Sequence, residues 1–280
     1  MTFLEKLQTS ISKTGSTLCV GLDPNLDLLP NRVKDQFETT EEQVTYFCKL
    51  VIDYTAHYCA AYKPNLAFFE ALGPNGLAVF KEVIEHIPKD KVIIADAKRG
   101  DISSTAEHYK KAFWGKFNVD AITLNPLMGF ETLNAFSKDE MKGVYVLTLT
   151  SNTGANDFLK QPFSGFDMMS QFIAKELNKR SDLSRSHLGM VIGATQADEA
   201  ESVLKHHPEG ALLIPGVGAQ GGSINELSRA LKEHQGLPLI NSSRGIIYAG
   251  KDESDWPEHV ADAAKTMKQK LSQITAQYVQ

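Results

Sequence analysis

Short apolar runs recur eight times along the chain, at 17–22, 60–63, 91–95, 121–124, 144–150, 188–192, 211–214 and 238–241. Runs this short, several of them rich in β-branched residues, predict buried strands. Between them, apolar positions return at helical spacing over 41–57, 77–86, 102–113, 166–179, 197–206, 224–234 and 256–273, with a weaker helix at 130–136. Residues 1–13 form one more amphipathic helix candidate ahead of the first strand. Eight strand-helix units in one series, with no linker rich in Pro, Gly or Ser, predict an α/β protein of the (β/α)8 TIM barrel type. The chain then forms a single domain over 1–280 with an N-terminal helix. A doubly wound open sheet is the rival architecture if some of the strands are misplaced. No short repeat of fixed period occurs, which excludes a solenoid.

Composition narrows the class. Hydrophobic residues at 42% and charged residues at 22% are ordinary for a soluble globular protein. A net charge of −5 with no basic run argues against nucleic-acid binding. No apolar stretch nears the roughly 18 residues of a membrane span, and the charge interspersed through 1–13 is unlike a signal peptide. Neither nucleic acid nor membrane is therefore an expected partner. Cys19, Cys48 and Cys59 are odd in number and form no C-x-x-C pair, which points to a reducing, cytoplasmic setting.

Candidate chemistry gathers just past the strands. The third ends in Asp96-Ala97-Lys98-Arg99-Gly100-Asp101. Period-2 geometry turns Asp96 and Lys98 to one face while the strand persists, and Gly100 allows a bend before the next helix. Charges this dense at the end of a buried strand are costly unless they serve one another or a ligand. A structural ion pair and a functional site both satisfy that condition on spacing alone. The other strand ends deliver Asp23, Lys63, Asn125, Ser151, Pro215 and Arg244 to the rim where barrel active sites form. Asp23 and Asn125 each precede a proline and also suit a turn.

After the seventh strand comes Gly216-Val217-Gly218-Ala219-Gln220-Gly221-Gly222, and after the eighth Ser242-Ser243-Arg244-Gly245. Barrels often bind phosphate in these two loops, where glycine permits close backbone approach and arginine offers a forked cation. Gly216, Gly218 and Gly221 also match the dinucleotide fingerprint G-x-G-x-x-G, but the seventh unit of a series is the wrong context for it. Metal chemistry has little support: the adjacent His206 and His207 point apart and suit a solvated helix end. No Gly-x-Ser-x-Gly elbow is present.

With Lys63, Asp96, Lys98, Asp101, the glycine loop and Arg244 in view, the chain closely resembles the orotidine 5'-monophosphate decarboxylase family. It is most similar to the longer bacterial branch, the type 2 subfamily, in which the third-strand motif reads Asp-Ala-Lys-Arg-Gly-Asp-Ile. The resemblance runs from Gly21-Leu22-Asp23-Pro24 through Tyr62-Lys63-Pro64-Asn65 to Ser243-Arg244-Gly245, essentially the whole chain. It implies cofactor-independent decarboxylation of orotidine 5'-monophosphate to uridine 5'-monophosphate in de novo pyrimidine biosynthesis, without a metal.

The resemblance also implies individual roles. Lys98 matches the lysine that protonates the carbon losing carbon dioxide, and Asp96 the carboxylate beside the leaving group. Lys63 and Asp101 complete an alternating array, with Asp101 entering the site of a second subunit in a homodimer with shared active sites. Ile102 and Thr105 match positions that accompany it. Asp23 matches a ribose-hydroxyl contact and Ser151 a pyrimidine contact. Gln220 and Arg244 match the phosphate grip, with Pro215 and Ser243 beside them among the substrate-binding positions. Asn125 stands where the branches of the family differ.

Two other functions fit parts of the pattern. A sugar-phosphate decarboxylase or aldolase of the same barrel group shares Asp-x-Lys-x-x-Asp but uses magnesium, and Lys63 stands where it would want a carboxylate. A phosphate-binding barrel without catalysis would have no need of all four charged positions.

Overall fold

The computed structural model describes residues 1–217 and 222–279. Eight parallel strands follow one another around a closed barrel: β1 Leu18–Leu22, β2 Ala61–Pro64, β3 Val92–Arg99, β4 Ala121–Leu124, β5 Gly143–Leu149, β6 His187–Ile192, β7 Leu212–Ile214 and β8 Pro238–Ser242. Each pairs with its successor, and β8 closes on β1 through Leu18 with Ile240 and Cys19 with Asn241. The expected strands are all present, and the open-sheet alternative falls. Their side chains are buried almost throughout, because helices cover the outer face and the interior is filled.

Two apolar layers result. Leu18, Val20, Leu22, Ile122 and Val144 point outward to helices such as Thr40–Thr55 and Trp256–Lys270. Cys19, Ala61, Ile94, Tyr145 and Leu213 fill the interior together with Phe3, Leu7 and Ile11 of the N-terminal helix Phe3–Thr14. That helix starts with a capping box between Thr2 and Glu5. Phe3 N–H donates to Glu140 O, and Lys6 pairs with Asp120 at 2.7 Å, so the helix plugs the amino-terminal end of the barrel. The opposite end is left for chemistry.

The helices depart from expectation at their ends. The one expected at 102–113 runs over Ser103–Lys110 and widens into a π turn at Lys111–Lys116. The one expected at 166–179 begins at Met169, and 130–136 is a 3-10 segment. The short helices Asn31–Gln36 and Leu66–Glu70 were not expected, being too brief to display a period.

The His206–His207 reading needs correction, since His207 is buried. Its Nε2 lies 2.8 Å from Leu188 O, in the turn after helix Ala197–Leu204. Two more histidines line the same amino-terminal end. His187 Nε2 accepts the Ala211 N–H at 2.8 Å, and His234 Nε2 lies 2.9 Å from Gly210 O. Burial pushes both imidazoles down to about 4. Cys19, Cys48 and Cys59 are free thiols inside the protein. Among the described residues no helix is long and apolar enough to cross a membrane.

Candidate active site

The site grows out of an irregularity in the barrel. Along β3 and β4 the register pairs Ala95 with Ile122 and resumes at Arg99 with Leu124. Asp96, Ala97 and Lys98 therefore stand opposite the single residue Thr123, and the strand bulges at its carboxyl end. Lys98 takes a φ of 48°, a left-handed conformation unfavourable for a residue with a Cβ. Asp96 and Lys98 do reach one cavity, but through this bulge and not through plain alternation.

Lys63, near the end of the neighbouring β2, points its Nζ to Asp96 Oδ2 at 2.7 Å. Lys98 Nζ takes the other oxygen, Oδ1, at 2.6 Å. Lys63 and Asp96 are buried, whereas the Lys98 side chain is 51% exposed and faces the cavity. Burial alone would raise the Asp96 carboxyl. The charges of Lys63 and Lys98 overcome it and hold the group well below the usual carboxylate range. Burial also opposes the charge on Lys63, and there Asp96 and Asp23 reverse it and push the ammonium up.

A cavity of about 290 Å³ at the carboxyl rim brings together Lys63, Asp96, Lys98, Asp23, Ser151, Pro215, Ser243 and Arg244. Asp23 Oδ1 and Asn241 Oδ1 are buried with no hydrogen-bond partner among the described residues, a condition that few buried acceptors tolerate. Arg244 opens the short helix Arg244–Ile247 after β8. A Cβ on Gly21 would fall 1.8 Å from Ser243 Oγ, so only glycine lets β1 run this close to that loop. Gln220 lies outside the described residues, as do Gly218 and Gly221 of the glycine run.

Four expected residues stand apart from this cavity. Asp101 accepts the N–H of Ile102 at 2.8 Å, and Ile102 and Thr105 are exposed on the following helix start. None of the three lines the cavity of its own chain. Asn125 faces a neighbouring apolar cavity of about 610 Å³ that shares Lys98 and Thr150 with the first. Its Oδ1 accepts the Leu127 N–H at 3.0 Å, which is the turn-forming role. Gly100 lies in the connection between β3 and the helix Ser103–Lys110, and a Cβ there would meet Asn125 O at 2.4 Å, so its small size matters as well.

Several polar residues of the cavity escaped the sequence reading, among them Thr123, Thr150, Asn152 and Asn241. Thr123 bonds both Asp96 and the Lys98 backbone, Asn241 precedes Ser243 at the end of β8, and Asn65 bridges Asp96. Asn65 follows β2 directly and Asn241 closes the 238–241 run, which were usable signals; Thr123 lay hidden inside an apolar run. Among the described residues no group of three His, Cys, Asp or Glu side chains is placed to hold a metal ion.

A closed parallel barrel with a buried carboxylate gripped by two lysines on its carboxyl rim defines a (β/α)8-barrel enzyme. Residues 16–258 match the model of the orotidine 5'-phosphate decarboxylase / HUMPS family, and the chain belongs to that family. It is 37% identical over 277 residues to an orotidine 5'-phosphate decarboxylase of Bacteroides fragilis (strain YCH46), covering 97% of this chain and 98% of the relative. A second such relative, from Christiangramia forsetii, is 39% identical over 272 residues, covering 96% of this chain and 97% of the relative. The solved structure of Leishmania donovani OMP decarboxylase superposes with a TM-score of 0.81 at 31% identity, covering 99% of this chain and all of that one (100%).

Proposed function

We propose that the chain decarboxylates orotidine 5'-monophosphate to uridine 5'-monophosphate, with Lys98 as the proton donor. The observation that carries this is the Asp96 carboxylate held at 2.7 Å by Lys63 and 2.6 Å by Lys98, inside the cavity that also contains Arg244. The bond from the ring carbon to the carboxylate breaks, carbon dioxide leaves, and the electron pair stays in an sp² orbital of that carbon. No adjacent carbonyl takes up the charge, so a fixed cation must stabilise it. The Lys98 ammonium does this and then gives the carbon its proton, leaving a neutral amine that recovers a proton from water.

Asp96 sits where the substrate carboxylate must approach, and their repulsion ends when carbon dioxide departs. Lys63 keeps Asp96 ionised. Asp23 is assigned to a ribose hydroxyl and Ser151 to the pyrimidine. Pro215, Ser243, Arg244 and Gln220 take the phosphate end. Binding energy gathered on the phosphate serves the reaction at the ring by holding the base against Lys98. The reading includes a cytoplasmic homodimer in which Asp101, with Ile102 and Thr105, completes the partner's site. The exposure of Ile102 and Thr105, and the position of all three outside their own cavity, support that arrangement.

The test is loss of ultraviolet absorbance when the purified chain meets orotidine 5'-monophosphate, with and without a chelator. Turnover that survives the chelator is expected. Absence of turnover would remove the proposal, and turnover abolished by the chelator would favour the magnesium-dependent reading.

A further inference from the structure

Thr123 is the β4 residue that faces the bulge, and it is 1% exposed. Its hydroxyl makes two hydrogen bonds of fixed direction. The Lys98 N–H donates to Oγ1 at 2.9 Å, and Oγ1 stands 3.1 Å from Asp96 Oδ1. An N–H can only donate and a carboxylate can only accept, so the hydroxyl hydrogen points at Asp96. The surplus residues of β3 put the Lys98 amide out of step with the β4 backbone, and the threonine side chain supplies its acceptor. That bond ties down a φ of 48°, which persists only where the surroundings enforce it. Asp96 Oδ1 is also the oxygen that receives Lys98 Nζ at 2.6 Å. One side chain thus fixes both ends of the lysine: the backbone directly, the amine through Asp96.

We propose that Thr123 is a positioning residue for proton delivery, holding the Lys98 amine at the reacting carbon by clasping the β3 bulge. The proposal rests on Lys98 being the proton donor. Positioning and mere packing separate by substitution. Thr123→Val keeps the shape and removes the hydroxyl, whereas Thr123→Ser keeps the hydroxyl and removes the methyl group.

In Thr123→Val, kcat on orotidine 5'-monophosphate falls about 10- to 100-fold, as expected for a reacting group displaced by about 1 Å. KM moves by less than about threefold, because the contacts to sugar and phosphate are untouched, and Thr123→Ser keeps kcat within about threefold of the parent. Crystal structures of the two variants without ligand give a readout independent of turnover. In the valine variant Lys98 leaves the left-handed region and its Nζ parts from Asp96, and in the serine variant both stay. Unchanged Lys98 geometry or unchanged kcat in the valine variant overturns the proposal. So does a serine variant with kcat reduced about tenfold or more, which also decides the matter if the valine variant does not fold. If the parent chain does not decarboxylate the substrate, the proposed function falls, while the crystallographic comparison still decides whether Thr123 sets the Lys98 geometry.

Discussion

Lys63 Nζ stands 2.7 Å from Asp96 Oδ2 with both side chains buried. A pair so placed has given up its hydration, and the attraction recovers little beyond that loss, so it is a poor source of stability. Removing one member is another matter: a stranded buried charge costs about 3–5 kcal/mol. The pair therefore makes best sense as a fixture for Lys98, whose amine takes the remaining Asp96 oxygen while its side chain stays half exposed.

Lys98→Ala should abolish turnover while leaving the fold and the binding of uridine 5'-monophosphate in place. Cation stabilisation and proton donation disappear together, so a loss of roughly 10⁴-fold or more is expected. Steady-state assays beside calorimetric titration of the nucleotide check this. Near-parental turnover would remove Lys98 from the mechanism.

Arg244→Ala should lower efficiency on the phosphorylated substrate by about 10² to 10³-fold, the usual consequence of losing a charged hydrogen-bond partner. Trace activity on the unphosphorylated nucleoside should barely change. Comparing kcat/KM for the two substrates reads this out, and equal losses on both would place Arg244 in another role.

Mixing Lys98→Ala with Asp101→Ala subunits should restore activity that neither has alone. Half of the randomly exchanged dimers are mixed, and each mixed dimer has one intact and one doubly damaged site, so roughly a quarter of parental activity returns. Activity that stays at the level of the separate variants, once exchange is verified by mass spectrometry, would rule out the shared site.

Acid should weaken the fold through the histidines at the amino-terminal end of the barrel. His187 and His234 lie near 4 in the folded protein against an ordinary 6.5. Between those values the unfolded chain binds protons that the folded one refuses. Stability is therefore full above about pH 6.5 and is lost as pH falls through that window. The effect amounts to roughly 3 kcal/mol for each histidine. Asp96 is also depressed, but its contribution is lost only in more acid solution. Urea midpoints between about pH 7 and pH 4.5 measure the slope, which His187→Gln should flatten while its amide oxygen still accepts the Ala211 N–H. A variant with the parental slope would clear His187 of the effect.

The barrel was readable because parallel strands buried on both faces leave short apolar runs, and runs such as 121–124 and 238–241 lie within a residue of the observed strands. The end of β3 was not readable. The apolar run stops at Ala95, yet the strand continues to Arg99 through a bulge at which Thr123, an unremarkable residue within another apolar run, takes over the Lys98 amide. Strand-end chemistry such as Lys63, Asp23 and Arg244 follows from position alone once the strands are known. A contact made across two strands, as between Thr123 and Asp96, depends on register, and register has no local signature when both faces are buried. The role assigned to Asp101 came from family resemblance, since no spacing within one chain reveals a contact with another.

Gly21 and Ser243 touch where the first strand of the chain meets the last. During synthesis Lys63, Asp96 and Lys98 leave the ribosome well before Ser243 and Arg244. Without β8 against β1 the barrel is not closed and the cavity lacks the wall that carries Arg244. A chain cut short before β8 keeps Lys63, Asp96 and Lys98 but loses Asn241, Ser243 and Arg244 from the lining of the cavity they share.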